Sequence, residues 1–403
     1  MSKHKKVFAG RFLSLFLVLV LVGSLFTAFQ LTRPLPQANA QKLTPLLSTS
    51  SISSLAWPNY GQAAVGAVNY GILETNGEQK PVPIASVAKI ITALSIIKKK
   101  PLTMGEQGPV ITITQADEAI FNEYFAKDGS LVKVQAGQKL SLYQAMQAIL
   151  LPSANNVADT TAIWAFGSLA NYVTFANNYV KTLGMKNTTI ADASGFSPNT
   201  ISTASDLILL GQAALFNPVI AEVINQKQAV IPVAGTIYNV NGLLGRDGIN
   251  GIKTGNTDEA GGCFLTSAKR VVNGKEINVI TAVLGADNLE KSMLDSVPLL
   301  NSAAGQFQLK TVAKKGQIVG GYTTAWGEIT SAMLQKDITA VVWPSQQLSL
   351  TANMNSLSSP AQLDTNVGSA EVVIAKQVFK SPVITGQAIH KPSLNWRLTN
   401  SFK

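Results

Sequence analysis

The sequence predicts an α+β fold, in which helices pack against an antiparallel sheet, followed by a small all-β domain. The stretch GQAAVGAVNYGILE at residues 61–74 is typical of a strand pair. Two β-rich runs flank Asn273-Gly274, which favours a type I′ hairpin because both turn positions need φ above zero. After residue 309, short β-rich runs alternate with Gly, Pro, Asn and Ser, as in all-β modules.

The helices are predicted from apolar patterns and their stop signals. Residues 86–99, 141–151 and 156–184 have helical patterns, and Pro101 and Pro152 end the first two. We expect these helices to pack against the antiparallel sheet.

The composition excludes several classes of protein. The chain has 403 residues, 46% hydrophobic and 13% charged, which favours two folded domains over disorder. His4 and His390 are the two histidines, one near each end, and Cys263 is the single cysteine, interpreted as a buried structural thiol. Histidine-dependent serine or cysteine sites, zinc clusters and an internal disulfide are therefore excluded. We expect no metal and no cofactor, and a catalytic base must be Lys, Asp or Glu.

The net charge of +10 does not indicate a nucleic-acid partner. The basic residues are scattered, and no arginine-rich stripe interleaves with aromatic residues. A protein that faces an anionic cell envelope accounts for the charge equally well.

Residues 1–40 are predicted to be either a signal peptide or an N-terminal membrane anchor. A basic start at residues 3–11 precedes 21 uncharged residues, 12–32, which is long enough to span a bilayer. Residues 38–40, Ala-Asn-Ala, are also an acceptable cleavage site. The first alternative predicts secretion to the cell envelope, and the second predicts the extracytoplasmic face of the cell membrane.

The rest of the chain is divided by composition. Residues 41–56 are rich in Ser and Thr and are predicted to be a linker. The mixed α and β patterns predict one domain over 57–308 and an all-β domain over 309–390, with a tail at 391–403. The all-β domain has no cluster of acids, bases or nucleophiles, so we expect it to be non-catalytic.

Three short motifs in the domain 57–308 contain candidate catalytic residues. Their spacings are 67 and 100 residues, and they are Ser86-Val-Ala-Lys89, Ser153-Ala-Asn155 and Lys253-Thr254-Gly255. Each motif is weak evidence alone, and their order and placement make the set specific.

Ser86 and Lys89 are interpreted as a nucleophile and its base. Three residues are close to one helical turn, so both side chains share a helix face. A serine hydroxyl needs a base, and burial and the nearby Lys253 would lower the pKa of Lys89 enough for it to act as one. The helix start also offers the Ser86 backbone N–H to a developing oxyanion. The alternative for this pair alone is a helix cap and a solvated lysine.

The other two motifs are interpreted as binding and proton-transfer groups. Ser153 is suited to relay a proton toward a leaving amine, and Asn155 to hold the lysine base and a substrate amide. Lys253 and Thr254 supply a cation and a donor suited to a carboxylate. Gly255 is expected to let a substrate backbone lie close to the strand.

The three motifs resemble those of penicillin-binding proteins and serine β-lactamases. More narrowly, IASVAKIITAL, LLPSANNVAD and GIKTGNTDEAGGCFLTSAKR resemble the low-molecular-weight D-alanyl-D-alanine carboxypeptidases, serine peptidase family S11. The resemblance covers residues 57–308, and the β module with FKSPVITGQAI is similar to the C-terminal domain of many such enzymes.

This resemblance implies a β-lactamase/transpeptidase-like domain with a site between its sheet and its helical cluster. It implies that a serine DD-peptidase removes the terminal D-alanine of peptidoglycan stem peptides through an acyl-enzyme on Ser86, and that β-lactams inhibit it covalently. By motif, the resemblance also implies that Lys89 is the base and that Lys253 and Thr254 bind the substrate carboxylate. The backbone N–H groups of Ser86 and Asn256 would form the oxyanion hole.

Two of the chain's departures from the family pattern concern the expected substrate site. Asn256 follows K-T-G where tyrosine or histidine is common. Lys291 is the only cation in the segment DNLEKSMLDSVPLL, where the family often has an arginine near the substrate carboxylate, so it is either a surface lysine or that ligand.

Two other functions remain as alternatives. A class A β-lactamase needs a glutamate in an E-x-x-L-N pattern, and Glu222, followed by Val-Ile-Asn, does not match it. A non-catalytic envelope scaffold is the second alternative, and three intact motifs argue against it.

Overall fold

The computed structural model describes residues 3–47, 52–344 and 346–400. The chain forms two compact units. The large unit comprises the described residues of Ser50–Leu309 together with Val341–Pro344. The small unit comprises those of Met1–Thr49, Lys310–Ala340 and Ser345–Lys403.

The α-helices in the described residues are numbered along the chain. They are α1 (Lys3–Thr32), α2 (Lys89–Lys99), α3 (Gln115–Phe125), α4 (Leu142–Leu150), α5 (Asn155–Phe166), α6 (Leu169–Thr182), α7 (Ala204–Phe216), α8 (Pro218–Ile224), α9 (Leu289–Ala304) and α10 (Leu394–Thr399). Short 3-10 helices occur at Ala85–Ala88 and Arg246–Gly248.

The strands in the same part of the chain are numbered in the same way. They are β1 (Ala40–Lys42), β2 (Leu46–Leu47), β3 (Gln62–Ala67), β4 (Gly71–Asn76), β5 (Val82–Pro83), β6 (Val110–Thr112), β7 (Lys139–Ser141), β8 (Ile201–Ser202), β9 (Gln228–Ile231), β10 (Gly235–Tyr238), β11 (Ile249–Thr257), β12 (Gly261–Val272), β13 (Lys275–Ala286), β14 (Gln308–Ala313), β15 (Ile318–Thr323), β16 (Ile329–Leu334), β17 (Ile338–Val342), β18 (Leu348–Ser349), β19 (Thr351–Met354), β20 (Asn366–Ile374) and β21 (Gln377–Thr385).

The main sheet of the large unit is antiparallel, with strand order β11-β12-β13-β3-β4. Both of its faces are buried, because alternate residues of β12 belong to different hydrophobic clusters. Phe264 packs in a cluster with Leu299 of α9, and Leu265 packs in a cluster with Ile91 of α2. The sheet therefore lies between α9 and a helical cluster, which confirms the predicted α+β class.

The two predicted strand pairs of this sheet are confirmed. Strands β3 and β4 form the pair predicted at residues 61–74, and β4 extends two residues further, to Asn76. Asn273 and Gly274 have φ angles of 47° and 75° and connect the register pair Val272 and Lys275. Both turn residues adopt the positive φ that a type I′ hairpin needs.

One helix prediction is wrong. Residues 156–184, predicted as one helix, form α5 and α6. Gly167 ends α5 with a φ of 84°, and the Ser168 side chain begins α6 by accepting a hydrogen bond from the Asn171 backbone N–H. A left-handed glycine followed by a serine N-cap is a strong break, and it outweighs the apolar pattern that continues across it.

The small unit contains an antiparallel six-stranded sheet with order β1-β15-β16-β21-β20-β19. Its edge strand β1 begins at Ala40, which pairs with Tyr322, and β2 pairs with β18. Strands β1 and β2 thus overlap the predicted linker 41–56. Residues 48–51 of that linker and residues 401–403 of the predicted tail lie outside the described residues.

The helix α1 is apolar along most of its length. Its segment Gly10–Thr32 is long and apolar enough to cross a membrane, a criterion that signal sequences also meet. Within the small unit, the guanidinium of Arg397 on α10 donates a hydrogen bond to the carbonyl of Leu31, at the end of α1. The end of α1 is therefore attached to the small unit.

Candidate active site

Ser86 and Lys89 lie side by side at the start of α2. The 3-10 helix Ala85–Ala88 leads directly into α2, so the predicted helix forms with a tighter first turn. Lys89 is 0% exposed, and its Nζ atom lies 2.8 Å from Ser86 Oγ. Nζ also donates to Asn155 Oδ1 at 2.6 Å and to the Ser194 carbonyl at 2.7 Å. The structure therefore brings the predicted nucleophile and base into direct contact.

The electrostatics of the pair suit a lysine base. Burial lowers the pKa of Lys89 to about 7, against the opposing effect of Asp192 and Asp159, which raise it. A substantial neutral fraction is therefore present near pH 7. Burial, with a smaller effect from the Lys89 charge, also lowers the pKa of Lys253 well below its usual range.

The two residues of the second motif differ in their contacts. Asn155 begins α5 and binds Lys89 directly. Ser153 has a left-handed backbone with φ of 66° and is 4% exposed. Its Oγ is buried and has no hydrogen-bond partner among the described residues. The structure thus brings Asn155 to Lys89, whereas the Ser153 hydroxyl has no bonded neighbour within the part of the chain that is described.

The third motif lies on β11, beside the Ser86 turn. Lys253 and Thr254 are buried, and Lys253 Nζ donates to the Thr254 carbonyl at 3.2 Å. A Cβ at Gly255 would lie 2.9 Å from the Ile84 carbonyl and 3.0 Å from the Ser86 backbone nitrogen. The absence of a side chain at Gly255 therefore lets β11 lie close against residues 84–86.

A cavity of about 410 Å³ opens beside these residues. Ser86, Asn155 and Asn256 line it, one residue from each of three separate elements. The cavity is also lined by Phe196 and by the exposed Asp258 and Glu259 of the β11–β12 turn. The cavity can hold a peptide end against the Ser86 hydroxyl.

Sequence reasoning gave no role at the site to the segment that contacts Lys89 through the Ser194 carbonyl. Asp192 accepts hydrogen bonds from Ser194 Oγ at 2.7 Å and the Phe196 backbone N–H at 2.8 Å. Gly195 has a φ of 73°, and a Cβ there would lie 1.9 Å from the Ala85 carbonyl. The Ser194 group that binds Lys89 is a backbone carbonyl, which has no signature in the sequence.

Other residues that the sequence singled out have separate roles. Cys263 is buried, and burial raises the pKa of its thiol to about 12. Lys291 forms an ion pair with Asp295 on the same helix, with Nζ and Oδ2 3.0 Å apart. Glu222 accepts a hydrogen bond from the Tyr143 hydroxyl at 2.6 Å. Among the described residues, no group of three His, Cys, Asp or Glu side chains is arranged to hold a metal ion.

The fold and the Ser86–Lys89 contact define a class of protein. A serine hydroxyl against a buried lysine, between an antiparallel sheet and a helical cluster, is the arrangement of a serine acyl-transfer enzyme that uses no histidine. The sequence profile of the peptidase S11 family, D-alanyl-D-alanine carboxypeptidase, matches residues 64–288. The chain belongs to this family, and it is a serine-type D-Ala-D-Ala carboxypeptidase.

Individual relatives agree with the family assignment. The chain is 27% identical over 396 residues to the D-alanyl-D-alanine carboxypeptidase DacA of Escherichia coli K12, covering 96% of this chain and 95% of that one. It is 28% identical to the D-alanyl-D-alanine endopeptidase of the same organism, covering 61% of this chain and 76% of that one. The crystal structure of the carboxypeptidase DacD from Francisella tularensis has a similar fold, with a TM-score of 0.59 and 20% identity, covering 83% of this chain and 95% of that one.

Proposed function

We propose that Ser86 is the nucleophile that removes the terminal D-alanine from peptidoglycan stem peptides. Lys89 takes the hydroxyl proton as Ser86 Oγ attacks the carbonyl carbon of the terminal peptide bond. The bond to D-alanine then breaks, and water later hydrolyses the ester on Ser86. The observation that carries this proposal is the 2.8 Å distance between Lys89 Nζ and Ser86 Oγ, with burial lowering the pKa of Lys89 to about 7.

We assign the remaining motif residues to substrate contacts and proton delivery. Ser153 returns a proton to the leaving amine. Its buried hydroxyl has no hydrogen-bond partner among the described residues, which supports a role in bonding to the substrate. Lys253 and Thr254 bind the terminal carboxylate. The backbone N–H groups of Ser86 and Asn256, two residues that line one cavity, stabilise the oxyanion.

We further propose that the protein is held at the extracytoplasmic face of the membrane by a retained α1. The segment Gly10–Thr32 is long enough to span a bilayer. Ala38 forms a β-bridge with Leu357, and Ala40 pairs with Tyr322. Cleavage after Ala40 would remove both of these pairings from the small unit, so they favour the anchor over the cleaved signal.

A labelled penicillin tests the catalytic assignment. A β-lactam resembles the D-Ala-D-Ala end, so Ser86 should open its ring and carry a lasting ester. Mass spectrometry should locate the label on the peptide that contains Ser86, and D-alanine should be released from a D-Ala-D-Ala pentapeptide. Ser86→Ala should lose both signals and keep its thermal unfolding temperature, because one half-buried hydroxyl contributes little to stability.

The alternatives give different results in the same experiment. A β-lactamase would turn penicillin over rapidly, with no trapped adduct and no D-alanine. A scaffold would give neither adduct nor product. Either result would reject the proposed function.

A further inference from the structure

Helix α5 carries a buried acid directly behind the contact between Asn155 and Lys89. Asp159 follows Asn155 by four residues, so the two side chains lie on the same helix face. Asp159 is 7% exposed, and its Oδ2 accepts a hydrogen bond from the Tyr124 hydroxyl at 2.9 Å. Its Oδ1 is buried without a hydrogen-bond partner among the described residues. A carboxylate in this state is costly to bury, so its presence needs a functional reason.

A chain of contacts connects Asp159 to the lysine base. The Tyr124 hydroxyl, which donates to Asp159, also lies 3.1 Å from Ser194 Oγ. The carbonyl of Ser194 in turn accepts the hydrogen bond from Lys89 Nζ. Helices α3 and α5 and the segment that contains Ser194 therefore meet at one side of Lys89.

The charged and titratable groups around Asp159 come from each neighbouring element. They are Tyr124 and Glu123 on α3, Asp192 beside Ser194, and Lys89 on α2. Glu123 is exposed and forms an ion pair with Lys127, with Oε1 and Nζ 2.7 Å apart. The charge of Lys89 also acts on the buried Lys253, whose pKa is lowered well below its usual range, mainly by burial. Lys89 is thus the only cation that acts on the Asp159 carboxyl, within the part of the chain that the structure describes.

The charge of Asp159 is present at neutral pH. Burial raises the pKa of its carboxyl to about 6, which is still below that of Lys89, at about 7. The Asp159 carboxylate is one of two anions that raise the pKa of Lys89, the other being Asp192. Above pH 6 the site therefore holds a buried anion near the atom that becomes an ammonium.

We propose that Asp159, oriented by Tyr124, is a positioning residue that stabilises Lys89 as it becomes an ammonium during acylation. This inference rests on the proposed function, in which Lys89 is the base. In that step the O–H bond of Ser86 breaks, an N–H bond forms on Lys89, and the Ser86 oxygen bonds to the carbonyl carbon. The π electrons of the carbonyl move to its oxygen. A positive charge appears where water is excluded, and a fixed anion lowers the energy of that state.

The test is the pH dependence of penicillin acylation in the Asp159→Asn variant of the full chain. Asparagine keeps the shape of the side chain and removes its charge, so Lys89 should become a weaker base. The acid limb of the pH profile is the range in which the acylation rate rises with pH. We expect it to move to lower pH by roughly half a unit or more. For a half-unit shift the plateau rate should fall about two- to threefold, because a weaker base assists proton removal less.

Two further variants separate this effect from a structural role. Asp206→Asn is the matched control, since Asp206 is also buried but binds Thr188 and the Asn187 backbone. It should lower the unfolding temperature and leave the acid limb unchanged. Tyr124→Phe removes a hydrogen bond that lowers the pKa of Asp159, so the limb should move in the same direction by a smaller amount. If Asp159→Asn does not fold, the shift of the acid limb in Tyr124→Phe tests the role of Asp159 in its place.

The outcomes distinguish this inference from the proposed function. If the wild-type protein forms the Ser86 adduct and the acid limb of Asp159→Asn matches that of the wild type, the role of Asp159 is rejected and the function stands. An equal shift in Asp206→Asn would also reject it, because the effect would not depend on the site. Absence of a wild-type adduct would overturn both.

Discussion

Two non-glycine residues with left-handed backbone lie at the catalytic motifs. Ala85, directly before Ser86, has a φ of 45°, and Ser153 has a φ of 66°. Such conformations cost about 1–3 kcal/mol each, and they persist only where surrounding contacts hold them. Ala85 is held between Gly195 and Gly255, whose missing side chains let both backbones approach it. Strained backbone is thus present beside two hydroxyl groups whose orientation matters for the proposed reaction.

Ser153→Ala should separate stability from activity. The hydroxyl is buried without a partner among the residues described, so its removal should leave the unfolding temperature unchanged or raise stability by about 1 kcal/mol. Release of D-alanine should fall about 100-fold if the hydroxyl transfers the proton to the leaving amine. Calorimetry and a pentapeptide assay measure the two effects. Wild-type turnover in this variant would contradict the role proposed for Ser153.

The pH profile of acylation should report the protonation of Lys89. Only the neutral amine can take a proton, so the rate should rise about tenfold per unit as pH increases toward 7 and level off above it. Lys89→Arg should lose about 1000-fold or more, because arginine stays protonated. Stopped-flow labelling with a fluorescent penicillin measures both. An arginine variant with near-normal rates would reject Lys89 as the base.

At the scale of elements, three segments fix the start of α2. Strand β11 touches residues 84–86 at Gly255, α5 supplies Asn155 to Lys89, and the segment 192–197 contacts Ala85 at Gly195. Asp192 holds that last segment through hydrogen bonds to Ser194 Oγ and the Phe196 N–H. Ser86 and Lys89 are therefore positioned by contacts that are distant in sequence.

Gly195→Ala should disrupt the site more than an equivalent change elsewhere. Its Cβ would meet the Ala85 carbonyl at 1.9 Å, so the segment must move away from Lys89. We expect a loss of about 3 kcal/mol or more in the free energy of unfolding, together with loss of penicillin labelling. Gly184→Ala is the control: its φ of 82° is similar, but its nearest contact is Leu209 Cδ1 at 3.6 Å.

The control variant Gly184→Ala introduces strain only through the positive φ of its backbone. It should lose about 1 kcal/mol and retain labelling. Denaturant titration gives both free energies. Equal behaviour of the two variants would mean that the contact with Ala85 does not position the site.

At the scale of the whole molecule, the chain contributes both of its ends to the small unit. Strands β1 and β2 from the N-terminal region pair with β15 and β18. The large unit contains the three motifs and the cavity. The main sheet and the six-stranded sheet lie in different units, so a change at the N-terminus should affect the small unit first.

Shortened forms of the protein test this division. A form that begins at Ile52 lacks β1 and β2, and a form that begins at Ala38 keeps them. We expect faster amide hydrogen exchange at β15 and β18 in the shorter form, because β15 loses its partner β1 and β18 loses its partner β2. Penicillin labelling should persist in both forms. Equal protection at β15 in the two forms would show that β1 adds no stability.

The sequence by itself determined the α+β class, the hairpin at Asn273-Gly274 and the three motifs. These depend on local properties: turn chemistry needs particular residues at adjacent positions, and strand and helix patterns have short periods. The pairing of Ser86 with Lys89 was predictable for the same reason, since a single helical turn joins them. Local rules failed at Gly167, where one residue's left-handed backbone divided a continuous apolar pattern.

Only the tertiary structure decided what surrounds the pair. The carbonyl of Ser194 lies 105 residues from Lys89 in sequence, and any residue type could have supplied it. Asp159 and Tyr124 are ordinary helix residues until α3 and α5 bury them together beside the base. Burial itself lowers the pKa of Lys89, because a charge that water no longer solvates becomes unfavourable. Desolvation depends on all packed neighbours at once, and a sequence motif specifies only a few of them.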